Sequence, residues 1–472
     1  MCYSQRSSFR QQLSVLKRQF LQDGELPLAN VLSEESVSQA LQSIESCWKN
    51  RIYSPLVTLS VFLGQVLSAD HSCRAAVARL IAHRLSHGQS VCSAETGAYC
   101  QARKRIPEEF FSGVARRTGR DLQAKSEAQW LWKNRRVFIY DGTTVTMPDT
   151  SANQAAYPQN PSQRPGLGFP IARLGAIFSL SCGAILDLGI CRYAGKGQSE
   201  LGLLRRLMKS FRPGDVMLAD RLMCSWAEMT ALHSLGIDCV VRHSAIRKLD
   251  FRCGQRLGKD DQIVSWPKRY PRRREDRGFA AELPDHLQIR VCRVCVERPG
   301  FRSKLLVLAT TLLDPVKYSK EDLAELYRER WNAELDFRSL KQTLQMDILR
   351  CKTPDLVRKE IWTHVLAYNL IRTIMAQSAI KHGVQPRMIS FKGALQTLEA
   401  FQPTIDLQGH HGIKHRMLLY EHILDCIASH RVANRPNRFE PRFRKQPIER
   451  RNYFIVSRDQ AKEQMLKRFK KN

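Results

Sequence analysis

The sequence predicts an α/β protein: a mixed sheet flanked by helices, carrying a β-rich insertion and joined to an α-helical N-terminal domain. Three observations carry that prediction. Residues 1–130 place apolar side chains at helical spacing with little strand character. From "RRVFIYDG" onward, short apolar runs alternate with amphipathic helical segments, the pattern of an α/β sheet. A basic, β-like stretch over 244–300 then interrupts that alternation before the strand "KLLVLATTLLD" resumes it.

Element by element, the first domain is built from "SPLVTLSVFLGQVLSAD", "CRAAVARLIAHRLSHG" and the cationic "AYCQARKRIPEEFFSGVARRTGR", each read as one helix. Over 131–243, "RRVFIYDG" forms a first strand ending at Asp141, and "GAIFSLSCGAILDLGICRYAG" forms two more around a Cys-Gly turn. The helix "SELGLLRRLMKSF" stops at "RPG", and "DVMLAD" is a fourth strand ending at Asp220. Ser225 with Glu228 reads as a capping box for the next helix, and "IDCVVRHS" returns to strand. The insertion 244–300 centres on "PKRYPRRREDRG". Over 301–400, Ser319 with Asp322 caps one long helix through "YRERWNAELDFRSLK", and "LVRKEIWTHVLAYNLIRTIMAQ" supplies another. The region 401–472 is basic and suits dimerisation or a DNA contact.

Charge narrows the partner. Lys and Arg number 75 against 45 Asp and Glu, a formal charge of +30, which is the footprint expected for a polyanion and above all for nucleic acid. No stretch reads as a signal peptide or membrane span, and the 14 cysteines fall in no disulfide frame, so the expectation is a cytoplasmic, nucleoid-associated protein. Cys292 with Cys295 lacks the second pair a zinc site needs, and His410, His411 and His415 read as loop histidines.

On a continuous helix, Tyr327, Arg330, Glu334 and Lys341 lie at offsets 0, 3, 7 and 14 and project within a sector roughly 60° wide. Leu326, Ala333, Phe337, Leu340 and Leu344 form the neighbouring core face, with Arg328, Glu329, Asn332, Asp336 and Ser339 opposite. Taken alone, that stripe reads as an Arg330–Glu334 ion pair with unrelated neighbours, and Asp141 and Asp220 each read as turn residues. Taken together, two strand-end aspartates and a helical glutamate form a carboxylate triad, because ligands of α/β sheets gather beyond the carboxyl ends of strands. Three clustered acids in a basic protein suit two Mg²⁺ ions acting on a phosphodiester, with Mn²⁺ able to substitute. Arg330 and Lys341 can then hold phosphates, and Tyr327 can donate its hydroxyl to one.

Asp141 in "YDGT", Asp220 in "LADR" and Glu334 within Tyr-x2-Arg-x3-Glu-x6-Lys resemble the DDE transposases of bacterial insertion sequences, in the branch with the YREK signature. "GKGQSE", "TTLLDP" and "LAYNLIR" are similar to that branch too, and the resemblance spans about residues 93–400. It implies an RNase H-like core with an insertion between the second aspartate and the glutamate. It also implies metal binding by Asp141, Asp220 and Glu334, and phosphate handling by Tyr327, Arg330 and Lys341. The implied chemistry is cut-and-paste: nicking at terminal inverted repeats, a hairpin, and joining of 3′ ends to target DNA by a homodimeric synaptic complex. Some members stack a flipped base on a tryptophan in the strand before the YREK helix. That strand has none here, which leaves Trp266 and Trp331 as candidates. The rivals are a catalytically silent DNA-binding relic and a structure-directed nuclease on the same fold.

Overall fold

The computed structural model describes residues 34–42, 51–86, 88–269, 277–295, 305–408, 413–432, 456 and 458–469. The centre of "PKRYPRRREDRG", His410, His411 and most of the basic stretch after Arg431 lie outside them.

The chain opens with helices α1 (Glu34–Gln42), α2 (Pro55–Leu67), α3 (Cys73–Ser86), α4 (Gly97–Arg105) and α5 (Glu108–Ala124). The last two replace the single helix predicted over "AYCQARKRIPEEFFSGVARRTGR". Ile106 and Pro107 are both extended, because proline lacks the N–H a helix interior needs and biases its predecessor away from helix.

The next elements are β1 (Val137–Thr146), α6 (Ser151–Ala156), β2 (Ile171–Ser179), β3 (Ile185–Arg192), α7 (Glu200–Leu207), β4 (Val216–Ala219), α8 (Trp226–Ser234) and β5 (Asp238–Arg242). After them come β6 (Gln255–Gly258), β7 (Asp261–Pro267), α9 (Arg277–Ala281), β8 (His286–Cys295) and β9 (Leu305–Thr310). All nine strands join one sheet in the order β3-β2-β1-β4-β5-β9-β8-β7-β6. β4 and β5 run parallel, with Val216 opposite Asp238, while β5–β9, β9–β8, β8–β7 and β7–β6 are antiparallel. The expected α/β class, a mixed sheet flanked by helices, is what forms. The strands of the insertion extend that sheet past β9.

The remaining elements are α10 (Lys320–Arg328), a 3-10 turn (Glu329–Trp331), α11 (Asn332–Arg338), a π turn (Ser339–Thr343), α12 (Pro354–Lys381), α13 (Phe391–Gln408), α14 (Ile413–Ser429) and α15 (Arg458–Phe469). The long helix expected through "YRERWNAELDFRSLK" is therefore broken twice. Ser319 and Asp322 do form the predicted capping box, each accepting the other's backbone N–H at 3.0 and 2.9 Å.

Two units divide the chain. One comprises Met1–Ile139, Ala176–Leu188 and Asn332–Val432; the other comprises Tyr140–Gly175, Gly189–Trp331 and Ala433–Asn472. In the first, α12 is buried along most of its length and packs on α5, α2 and α14. Asn369 of α12 donates to the carbonyls of Ala115 and Ile185 at 3.0 and 2.9 Å and accepts the Ile185 N–H at 2.8 Å. Glycine is required at position 119, since a Cβ there would stand 2.1 Å from the Ile185 carbonyl oxygen. In the same unit Asp336 is buried and ion-paired with Arg372 and Arg387, where periodicity had placed it on the solvent side.

In the second unit, α10 packs on β8 and β5. Arg290 of β8 forks onto Asp261 of β7 at 2.9 and 2.6 Å and also donates to the Tyr318 carbonyl, tying the extended sheet to the loop that leads into α10. The capping box predicted from Ser225 and Glu228 does not form. Glu228 is buried and its carboxylate is taken by the Arg205 guanidinium, a charge-assisted pair stronger than a backbone cap. No described helix is long and apolar enough to cross a membrane.

Candidate active site

Four of the six predicted site residues, Asp141, Asp220, Tyr327 and Arg330, belong to the second unit. Asp141 does not close β1, as the sequence suggested, but lies at its centre. The β-branched run Thr143-Thr144-Val145-Thr146 continues the strand beyond Gly142. The inner half of β1 is buried and the outer half is half-buried, so Asp141 stands where the strand emerges from the core. Its Oδ1 accepts the Gly142 N–H at 2.8 Å, and its Oδ2 faces Arg330 Nη1 at 3.4 Å. Burial pushes this carboxyl up to about 6; the Gly142 N–H and Arg330 work against that rise, while the charges of Asp220 and Glu200 add to it.

Asp220 follows directly after β4 and caps the short 3-10 turn Arg221–Met223, its Oδ1 accepting the Leu222 N–H at 2.8 Å. Strand β4 thus ends where it was expected to. Tyr327 sits in the last turn of α10 with 8% of its surface exposed. Burial is the main reason its phenol is raised to about 12, with Asp220 adding to the rise and Arg330, Arg242 and Arg221 opposing it. The hydroxyl therefore stays protonated and available as a donor throughout the neutral range. Arg330 occupies the 3-10 turn with its side chain 20% exposed.

Glu334 and Lys341 belong to the first unit. Glu334 lies in the first turn of α11 and Lys341 in the π turn, and both are half-buried. Leu326, Ala333, Phe337, Leu340 and Leu344 are all buried, as their spacing required. The two aromatics singled out earlier part ways. Trp266 is buried beneath Arg247, whose guanidinium stands 3.8 Å from the ring centre, so it has no open face for a base. Trp331 is 38% exposed beside Arg330.

Sequence reasoning missed several groups around Asp141. Glu200 opens α7 and is held by Arg173 of β2 at 3.0 Å. Arg221 follows Asp220, and Arg242 ends β5; both lie close enough to influence the Tyr327 phenol. The available signals were weak: the Arg of "LADR", the Arg of "VVRHS" and the Glu of "GKGQSE".

Among the described residues no three His, Cys, Asp or Glu side chains are gathered closely enough to hold an ion by themselves. Asp141 and Asp220 nevertheless couple as like charges, and the first is protonated unusually easily, a cost that a bound cation removes. Mg²⁺ is ordinarily held by one or two carboxylates, water and substrate phosphates, and not by a cage of protein ligands. The all-oxygen pair fits such an ion.

Residues 132–370, just over half of the chain, match the transposase DDE domain family. The transposase InsG of insertion sequence IS4 from Escherichia coli is 27% identical over 321 residues, covering 65% of this chain and 69% of that protein. A putative transposase InsL of IS186A, also from Escherichia coli, is 43% identical over a stretch of 72 residues, 15% of this chain and 20% of that one. Among solved structures, the piggyBac transposase synaptic complex with hairpin DNA aligns at a TM-score of 0.41 and 9% identity, over 88% of this chain and 85% of that chain. The chain belongs to the DDE transposase family, in the company of insertion-sequence transposases.

Proposed function

We propose that this transposase binds the terminal inverted repeats of its own insertion sequence, cleaves there with divalent metal, and joins the freed 3′ ends to target DNA. In this reading Asp141, Asp220 and Glu334 hold the metal, Mg²⁺ or Mn²⁺, as two ions. Tyr327, Arg330 and Lys341 grip the phosphates. The observation that carries it is the Asp141 environment: a half-buried carboxylate beside Asp220, with the Arg330 guanidinium 3.4 Å away.

The bound ions would activate an oxygen nucleophile and neutralise phosphate charge. The side chains do the rest. Arg330 lies against Asp141 at a distance longer than the roughly 2.7–2.9 Å of a tight charge-assisted bond, so a phosphate would offer it a stronger partner than that carboxylate does. Tyr327 presents a donor that does not ionise near neutrality. Arg221 and Arg242 add positive charge on the same side, and the +30 of the whole chain supplies sequence-independent affinity for DNA. The helical N-terminal domain would recognise the element ends, and two protomers would pair them. Cut-and-paste through a hairpin is the route that the resemblance to the YREK branch implies.

The test is cleavage of a labelled duplex carrying the DNA that flanks this gene, with Mg²⁺ or Mn²⁺, comparing the wild type with Glu334→Ala. Metal-dependent breaks at the element end with a hairpin product, lost in the variant while end binding survives, are expected. End binding without cleavage in either protein would overturn the proposal in favour of a catalytically silent relic.

A further inference from the structure

Both chain neighbours of Asp141 rest on one residue. Tyr140 donates its hydroxyl to the backbone carbonyl of Glu200 at 2.7 Å. Gly142 lies against the Glu200 side chain so closely that a Cβ at position 142 would stand 2.8 Å from its carboxyl carbon and 2.9 Å from Cγ. The main chain of Glu200 thus holds one flank of Asp141, and its side chain covers the other.

Glu200 is itself fixed. Arg173 donates to Glu200 Oε1 at 3.0 Å and to the Tyr193 carbonyl at 3.1 Å, with its guanidinium 5.0 Å above the Tyr193 ring centre. At the start of α7, Ser199 accepts the Gly202 N–H at 3.0 Å and so fixes the backbone from which Glu200 projects. This matters for Asp141 because the Gly142 N–H is what orients its Oδ1, at 2.8 Å. The direction of that N–H is set by the peptide joining residues 141 and 142, and Glu200 covers the far end of this peptide. A larger residue at 142 would push the peptide away or displace Glu200.

We propose that Glu200, braced by Arg173, is a positioning residue of the metal site: it clamps Tyr140 and Gly142 so that the Asp141 carboxylate is presented in one orientation. This rests on the reading of Asp141 as a metal ligand. Glu200 makes no bond to the ion in this role. Its effect passes through Gly142, as outer groups commonly act on a ligating carboxylate.

A tie between β2 and α7 would account for the Arg173 contact alone, and the two roles separate in a metal titration. Mn²⁺ binding to the full chain without DNA would be measured by calorimetry for wild type, Glu200→Ala, Glu200→Gln, Gly142→Ala, the double variant Gly142→Ala/Glu200→Ala, and Asp141→Asn, with melting temperature as the check on folding. Glu200→Ala and Gly142→Ala should each weaken Mn²⁺ binding by about tenfold, and Glu200→Gln, which keeps the shape and an acceptor for Arg173, by much less. The double variant should bind better than Gly142→Ala alone, because removing the Glu200 side chain makes room for the new Cβ. Mn²⁺ affinity of Glu200→Ala within about twofold of wild type, while Asp141→Asn loses binding, would overturn the clamp and leave the metal site standing. Undiminished binding by Asp141→Asn would overturn both.

Discussion

Asp141 and Asp336 both face arginine, one in each unit, and their surroundings differ in every respect that matters. Asp336 has no exposed surface; Arg387 Nη1 donates to both its oxygens at 2.8 Å, and Arg372 donates to its Oδ1 at 2.5 Å. Those arginines are anchored in turn, Arg387 on the carbonyls of Ser179 and Leu180 and Arg372 on the Tyr368 hydroxyl. Asp141 keeps 20% of its side chain exposed and meets Arg330 at 3.4 Å. A carboxylate closed in by several short charge-assisted bonds is committed to the architecture, here fastening α11 to the end of β2. A carboxylate left partly open, with its cation 3.4 Å away, is available for exchange with a metal and a phosphate.

The largest effect that would test this contrast falls on Asp336. Asp336→Ala leaves two largely buried guanidiniums without their counter-charge and should cost about 3–5 kcal/mol in urea denaturation. A loss of less than about 1 kcal/mol would mean the network is no more committed than an exposed ion pair. Asp141 should behave in the opposite sense. The folded protein holds the Asp141 proton more tightly than the unfolded chain, with the carboxyl moved from 3.8 to about 6. Its ionisation therefore costs no stability below about pH 3.8, and the cost grows until the pH passes about 6. In metal-free buffer Asp141→Asn should melt higher than wild type above pH 6, by the equivalent of about 2 kcal/mol after allowing for partial exposure, with the gap closing toward pH 4. A variant less stable than wild type at pH 8 would show that Asp141, like Asp336, serves the fold.

The sequence disclosed the sheet placement of Asp141 and Asp220 better than it disclosed the helix that follows Ser319. Asp141 and Asp220 were legible because each follows an apolar run, the strand signature that places them on a sheet. The two breaks between α10 and the π turn were hidden because they nearly cancel. A 3-10 turn advances about 120° per residue against about 100° for an α-helix, so Glu329–Trp331 over-rotates the chain by about 60°, and the wider π turn gives rotation back. The apolar stripe from Leu326 to Leu344 therefore stays buried throughout. With the helix interrupted, a continuous 100° rotation no longer places Tyr327, Arg330, Glu334 and Lys341 in one narrow sector, and Asp336 is buried because Arg372 and Arg387, distant in sequence, close on it. Glu228 and Glu200 were illegible for another reason. Their partners, Arg205 and Gly142, are distant in sequence, and no local pattern encodes them.

Arg330→Ala should have the smallest effect on stability and sharpens the contrast most. A pair at 3.4 Å with both side chains 20% exposed should contribute about 1 kcal/mol or less, so the variant's urea midpoint should move far less than that of Asp336→Ala. If Arg330 is held at Asp141 only until a phosphate arrives, the variant should bind Mn²⁺ at least as well as wild type, since a competing cation has gone. Nicking of labelled end DNA should persist while hairpin formation and strand transfer fall by roughly tenfold or more, because those steps require the phosphate to be held in line. Equal losses in nicking and in the later steps would place Arg330 with the metal ligands and not with the phosphate grip. A large loss of stability with all steps impaired together would make the Asp141–Arg330 pair a second version of the Asp336 network.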